Sequence, residues 1–467
     1  MSYQLLTILL PIITVPYVSR ALGSSGVGIY AYTFAIAHEF ALFGSLGINN
    51  YAIRQIAYFR NDLNKRNENF VDIFTLQLTT TLFSCLIFIL FVITSGTHYR
   101  VIFLIQILNI VSSSIDVSWF FIGLEEFKKT VTRNTMVKVG GLVLILTFVK
   151  NTSDLILYTI IISSVQFLGQ LTLITYIRKY VKLRRPNIRR IVAKIRPVLG
   201  MFIPQITIEI YSVINKIVLG SMQPKSQVGY FDSADKISRI ILQVLIAISA
   251  VMYPKIANLY ANHNHEKIKD YLYMTVQIVS IISLPMMVGL ASISKWFVPW
   301  FFGNSFKPTI PVLMVMSLVV WVLPFSTILS NQFLLPTNRI RENTIAGIVG
   351  AIVSLITNFI FIPKFAAIGA AIATVMAEGT VLMVSLIFIS RIFSIKKLLV
   401  PMIRYLLFSL IMAFFVVEVG EIVGVAKATT TILQCITGII SYLVILVVFD
   451  KRNMIFYIKM LKNLKKS

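Results

Sequence analysis

The positive charges of this chain crowd into every second gap between its apolar runs, and that rhythm leaves little choice but a helical, many-span membrane protein. Apolar stretches near the ~20 residues that carry a helix across ~30 Å of hydrocarbon fall at roughly 3–21, 28–53, 70–95, 101–123, 131–150, 154–177, 197–222, 227–252, 271–294, 309–334, 343–362, 366–390, 398–420 and 427–449. The even-numbered gaps and the tail hold thirty Lys and Arg residues. The odd gaps hold eight, namely Arg20, Arg100, Lys150, Lys225, Lys295, Lys307, Lys364 and Lys427. Cytoplasmic loops carry the excess of Lys and Arg, so the even gaps and both termini are expected in the cytoplasm, with the chain in the cytoplasmic (inner) membrane. Adding or removing one span would scramble the alternation, which supports a count of about fourteen.

Composition agrees. Apolar residues make up 57% of the chain and charged ones 13%, against about a quarter charged in soluble proteins. No segment shows the period-two alternation of a barrel strand, so the fold class is an all-α polytopic membrane protein. The net charge of +25 is then mainly topological. The densest basic run, Arg178 to Arg196, reads as an inner-surface loop beside anionic headgroups rather than a nucleic-acid site. The chain enters its first apolar helix at Ser2-Tyr3 with no charged leader or cleavage site, so no signal peptide is expected; that first span looks short at its front. Cys85 and Cys435 lie inside apolar runs and offer no metal or disulfide framework. No phosphate-binding G-x-x-x-x-G-K-[ST] loop is present. His263 and His265 read as solvated loop residues. No loop is long enough for an extramembrane catalytic domain, so neither an enzyme nor a cofactor is expected.

The chain also repeats itself. Val27, Gly28 and Ile36 open the second span after a turn carrying Leu22-Gly23, and Val228, Gly229 and Ile237 open the eighth after Leu219-Gly220. Pro11 and Pro16 precede one copy and Pro204 the other. Six spans separate the copies, so both halves cross in the same direction, as in transporters built from parallel repeats. The expected organisation is an N-terminal six-helix lobe (1–180), a basic cytoplasmic linker (181–196), a second, pseudo-symmetric six-helix lobe (197–392), and two additional helices with a basic tail (393–467).

Several stretches resemble one family. Pro16-Tyr17-Val18-Ser19-Arg20-Ala21-Leu22-Gly23, Gly28-Ile29-Tyr30 and Leu46-Gly47-Ile48 are similar to the opening of the Wzx-type flippases. These form the polysaccharide-transporter branch of the multidrug/oligosaccharidyl-lipid/polysaccharide exporters. Asp116-Val117-Ser118-Trp119-Phe120-Phe121-Ile122-Gly123-Leu124-Glu125 resembles that branch's W-F-F-x-G-L-E signature. Further on, Lys216 to Gly220, Val228-Gly229-Tyr230, Pro254-Lys255-Ile256, Phe301-Phe302-Gly303, Leu335-Pro336 and Gly369-Ala370-Ala371-Ile372-Ala373 follow in order. His38-Glu39 in the second span departs from the pattern. The resemblance implies two lobes in alternating access that carry an undecaprenyl-pyrophosphate-linked oligosaccharide from the inner to the outer leaflet. It implies an ion gradient as the drive, proton or sodium undetermined. Such a cargo needs a wet path for its sugar hydroxyls, since each unpaired polar group in hydrocarbon costs several kcal/mol, and fixed positive charge for its pyrophosphate.

Charges inside spans are costly and tend to face pathways, so they supply the candidate residues. In the eighth span Asp232, Lys236, Arg239 and Gln243 recur at helical spacing on one face, with Asp235 at its edge. Two readings fit: a substrate cavity, or i,i+4 pairs that neutralise each other for packing. Glu209 and Lys216 share a face of the seventh span. Lys216 and Arg20, near span ends, line a pathway or snorkel to the surface. Glu39 and Glu378 are candidates for ion coupling or satisfied structural carboxylates. Trp296, Trp300, Phe301 and Phe302 read as an aromatic belt, and Pro285 and Pro324 as kink sites. No metal site is expected. A cation-coupled multidrug exporter of the same superfold would call for an acidic cavity. A polytopic glycan polymerase would need a large outward loop. A non-transporting scaffold has no feature in its favour.

Overall fold

Within hydrocarbon a backbone N–H or C=O has no water to bond and must be satisfied by its own segment. The computed structural model of the protein meets that demand with helices, and no strand occurs among the described residues. It describes residues 2–182, 184–250, 252–390 and 392–450, with their side chains except those of 2–9, 203–205, 207–212, 244, 246–250, 252–254 and 265. In chain order the α-helices are α1 (Ser2–Ser45), α2 (Ile48–Tyr58), α3 (Leu63–Thr94), α4 (Arg100–Ser114), α5 (Ser118–Gly123), α6 (Phe127–Phe148), α7 (Leu155–Ile177) and α8 (Ile188–Met222). Then come α9 (Lys225–Ala250), α10 (Met252–Ala261), α11 (His265–Phe302), α12 (Thr309–Met316), α13 (Val319–Thr327), α14 (Ile340–Ile389), α15 (Ile395–Val423) and α16 (Ala428–Phe449). They pack as two compact units, Met1–Gly229 and Tyr230–Ser467. Among the described residues, ten segments are long and apolar enough to cross a membrane, beside the fourteen spans read from sequence.

Two of those ten are not single rods. α1 has 44 residues and α14 has 50, which as straight helices would be about 66 and 75 Å long, twice the hydrocarbon thickness. Each contains one non-helical residue: Gly23 (φ 67°, ψ 176°) in α1 and Ala366 (φ 48°, ψ −121°) in α14. Contacts show that each folds back there. A methyl group on Gly369 would overlap the Phe361 carbonyl, and one on Gly350 would overlap Val381 and lie 3.3 Å from the Ala377 carbonyl oxygen. Residues 350 and 377 would be about 40 Å apart in a straight helix, so α14 is a tight antiparallel hairpin with small residues at its seam. In α1, the Tyr17 hydroxyl donates to the Val149 carbonyl (2.7 Å), and Tyr30 meets Tyr158 ring to ring at 4.9 Å. A straight helix would part Tyr17 from Tyr30 by about 20 Å, yet both sit beside the α6–α7 turn. These reversals fall where the sequence separates spans one from two and eleven from twelve. Spans seven and eight fall on α8 and α9.

In the first unit, the second arm of α1 runs antiparallel to α3: Phe40 packs on Phe88 and Ser84 donates to the Phe40 carbonyl. Ile36, Ala37, Phe88, Val92, Phe103 and Ile110 form the core there. The second span ends earlier than expected. Leu46 and Gly47 both take positive φ, and α2 starts afresh as a short amphipathic helix burying Ile48, Tyr51, Ala52 and Ile56. Gly47 also lies so close to α8 that a Cβ would come within 2.9 Å of the Phe202 backbone. The paired glycines of the sequence repeat meet here as well. A methyl on Gly28 would overlap the Lys225 carbonyl oxygen, and one on Gly229 the Ser24 carbonyl oxygen, so α1 and the first turn of α9 cross backbone to backbone.

The second unit is built on α11, which packs against α13, α15 and α16. Tyr442 of α16 donates to the Ile281 carbonyl of α11 (2.9 Å), and Gln434 to the Val416 carbonyl of α15 (3.0 Å). The expected aromatic belt is a correction: Trp296, Phe301 and Phe302 are buried, Phe302 stacks on Phe306, and Trp300 donates to the Thr431 hydroxyl. Their rings cement the end of the unit instead of facing lipid. Pro324 lies in α13 just before a π-helical stretch, Ile328–Leu334, so span ten is interrupted there; Pro285 sits within an unbroken α11.

The backbone at Ala366 lies in a region that glycine occupies without a Cβ clash. Ala366→Gly is expected to stabilise the protein by about 1 kcal/mol, and Gly23→Ala to destabilise it by about 1–3 kcal/mol. Thermal unfolding of the purified variants in detergent reads both shifts.

Candidate functional site

α9 carries four ionisable side chains, Asp232, Asp235, Lys236 and Arg239, within eight residues. At 100° per residue, Asp232, Lys236, Arg239 and Gln243 fall within one narrow stripe. Lys236 Nζ lies 2.7 Å from Asp232 Oδ2, and Arg239 Nε donates to Asp235 Oδ1 at 2.8 Å. The i,i+4 pairs of the packing reading are therefore present. They are lopsided, however. The carboxylates are 4% and 5% exposed, whereas the Lys236 and Arg239 side chains are 40% and 47% exposed, and Gln243 is exposed as well. In each pair the acid is buried and its basic partner is the more exposed member, so the accessible side of the stripe is lined by Lys236 and Arg239.

Ile241 lies about 180° round α9 from that stripe and forms one wall of an apolar cavity of about 460 Å³ in the second unit. Pro285 and Met286 of α11, Met412 of α15, and Cys435 and Leu443 of α16 are among its other walls. α9 thus has a cationic side and a greasy side.

The remaining candidates lie elsewhere. Arg20 is exposed and Glu39 half-buried on the two arms of α1, and Lys216 is half-buried in α8, all in the first unit. Glu378 is buried in the second arm of α14. Glu209 lies outside the described side chains.

Residues 1–260 match the family model described as polysaccharide biosynthesis protein. The chain belongs to that family. A putative O-antigen transporter of Shigella dysenteriae is 24% identical over 79% of this chain and 93% of its own length. Another from Escherichia coli strain K12 is 25% identical over 84% of this chain and 94% of its own. In fold the chain is similar to the lipid II flippase MurJ in an inward closed conformation. The TM-score is 0.81 at 16% identity, covering 97% of this chain and 99% of that one.

The signature stretch of this family member turns out to be a structural corner. Trp119 is buried and its indole N–H donates to Gln77 Oε1 (2.9 Å); Gln77 Nε2 in turn donates to the Ser113 and Asp116 carbonyls (2.7 and 2.9 Å). Ser113 lies in the last turn of α4 and Asp116 in the turn that follows, where helix carbonyls lack their usual i+4 partners. Gly123 sits against Ile53 and Ile56 of α2 with no room for a Cβ. Glu125, with φ at 62°, pairs with Arg60 (2.8 Å). Glu126 pairs with Lys129 (2.5 Å) and accepts from the Tyr180 hydroxyl (2.8 Å). Burial disfavours its charge, but the hydrogen bonds from Lys129 and Tyr180 prevail and hold its carboxyl below the ordinary glutamate range.

The basic run 178–196 is partly a latch, which sequence reasoning missed. Arg190 pairs with Asp72 (2.9 Å) and Glu68 (2.8 Å) of α3, Arg184 with Glu68 (3.1 Å), and Lys194 donates to Asn69 (2.6 Å). Asp72 is buried and also accepts the Asn187 N–H. α8 already begins at Ile188, so half of the expected linker is helix. Arg178, Lys179, Lys182, Arg185, Arg189 and Arg196 remain exposed. The available signal was Glu68 and Asp72 themselves, two acids at i,i+4 beside an otherwise basic gap.

Asp72→Asn leaves Arg190 with a weaker partner and is expected to lower stability by about 1–2 kcal/mol, discounted because the arginine is part-exposed; chemical denaturation checks it. Glu126, with a depressed carboxyl, stabilises the fold above its unfolded value and loses that contribution as pH falls through its lower folded value. The stability gap between the parent and Glu126→Gln, under about 1 kcal/mol, is expected to hold at neutral pH and to close below about pH 4, as read by thermal unfolding across pH.

Proposed function

We propose that this multi-pass membrane protein is a flippase that moves lipid-linked oligosaccharide units across the cytoplasmic membrane, with both termini in the cytoplasm. The observation that carries the reading is the two-sidedness of α9. A pyrophosphate-linked sugar needs cations in a wet setting, and its polyisoprenoid tail needs an apolar bed that spares it water. Lys236 and Arg239 offer the first, and the cavity bounded by Ile241, Met412 and Leu443 suits the second. Exposed cations on a spanning helix would be costly against acyl chains, which favours a hydrated path along that stripe. Relatives named as O-antigen transporters, matched along most of their length, support the same substrate class.

In this reading six-helix lobes (residues 1–180 and 197–392) work by alternating access, and an ion gradient supplies the drive. Glu39 and Glu378 are the candidates for carrying the proton or sodium ion, and Lys216 for guiding the head, whereas Arg20 suits the other reading of a span-end cation, snorkelling to the surface. A multidrug exporter of organic cations fits less well, because the exposed ends of the α9 pairs are positive. A glycan polymerase fits less well still, since the loops among the described residues are short. The protein acts as a transporter, not an enzyme.

Removing one charge-assisted contact to a phosphate is worth on the order of tenfold in affinity. Arg239→Ala and Lys216→Ala are each expected to lower surface-glycan export by about that factor without lowering membrane abundance. Lys236→Ala should behave alike. Full export in all three strains would remove the site assignment. Deleting the gene should make lipid-linked units accumulate on the inner leaflet, and their absence there would remove the function.

A further inference from the structure

We propose that Arg20 and Lys150 form a headgroup site for one anionic phospholipid, whose chains lie in the furrow between α1 and α6. The two cations line one pocket of the first unit together with Tyr17, Ile13, Pro16 and Leu146. The lining is graded. Ile13 precedes Arg20 by seven residues, about 10 Å along the first arm of α1, and Leu146, in the last turn of α6, precedes Lys150, which lies two residues beyond that helix, so in both segments the apolar lining residue comes before the cation. The cationic ends coincide because α1 and α6 reach the same turn: Gly23 lies beside Thr152, and the Tyr17 hydroxyl bridges to the Leu146 and Val149 carbonyls (3.1 and 2.7 Å). That bridge fixes the floor of the pocket and covers carbonyls that end α6. Asp154 accepts the N–H groups of Lys150 and Asn151 (2.8 and 2.9 Å) and is near enough to offset part of the Lys150 charge.

Bringing two like charges to one pocket is unfavourable, and an anion between them reverses the sign. A phosphate diester suits the pair, since the guanidinium offers a planar fork and the ammonium a point charge. A free phosphate would leave the apolar end unused, whereas a phospholipid fills both ends. Both cations belong to sparsely charged gaps, which places this lipid in the outer leaflet. The proposal needs only that the chain spans a bilayer, and it does not rest on the flippase reading.

Native mass spectrometry of the full-length protein in detergent tests it, with phosphatidylglycerol, phosphatidylcholine and undecaprenyl phosphate as probes. The parent is expected to retain one phosphatidylglycerol about tenfold more tightly than phosphatidylcholine. Arg20→Gln/Lys150→Gln should lose that preference, and Lys427→Gln, at another sparse gap, should keep it. Unchanged retention in the double variant overturns the proposal, and so does equal retention of both phospholipids by the parent. Displacement of the lipid by inorganic phosphate would make this a free-anion site. Retention of undecaprenyl phosphate alone would make it a carrier-lipid site; either result overturns the phospholipid assignment. Should the double variant unfold, Lys150→Gln alone against Lys150→Arg gives the same contrast.

Discussion

The cost of taking a charge or an unpaired peptide group out of water governs this molecule. It makes every crossing helical, and it also dictates what interrupts the helices. Where α1 and α14 reverse, the irregular backbone is confined to single residues, Gly23 and Ala366, while the flanking helices keep their own bonds satisfied. Two carbonyls at and just beyond the end of α4, Ser113 and Asp116, are bridged by one glutamine, Gln77, which a buried tryptophan holds in place. Each departure from regular helix has a named partner nearby.

The same cost shapes the charges. Asp232 and Asp235 are tolerated inside the second unit because each has a cation one turn on, and the long cationic side chains keep part of their surface exposed while making the pair. Asp72 follows the same rule with Arg190 in the first unit. The difference lies in what is left exposed. On α3 and α8 the pairs close on each other across two elements and act as a clasp. On α9 they stay within one helix and leave the basic member of each pair the more exposed one.

Much of this was legible in the residues, and the misses have physical reasons. Helical membrane architecture and the reversals near residues 23 and 366 follow from hydropathy and turn chemistry, which are local. The i,i+4 pairs of α9 also follow from spacing alone. α2 was absorbed into a neighbouring span because Ile48, Tyr51 and Ile56 continue an apolar run, although the left-handed Leu46-Gly47 step breaks it. The clasp of Arg190 on Asp72 joins positions 118 apart in number only by folding, so no pattern in either segment shows it. Trp296 and Phe302 were misplaced for the opposite reason: aromatic residues near a span end have two good environments, headgroup and core, and composition does not choose between them.

The tight α14 hairpin bears on how such a chain is built. Its two arms touch from Gly350–Val381 down to Phe361–Gly369, so the connector between them amounts to a few residues around Lys364. Joined this closely, the two arms need no long hydrophilic connector, and the turn between them carries a single ammonium group.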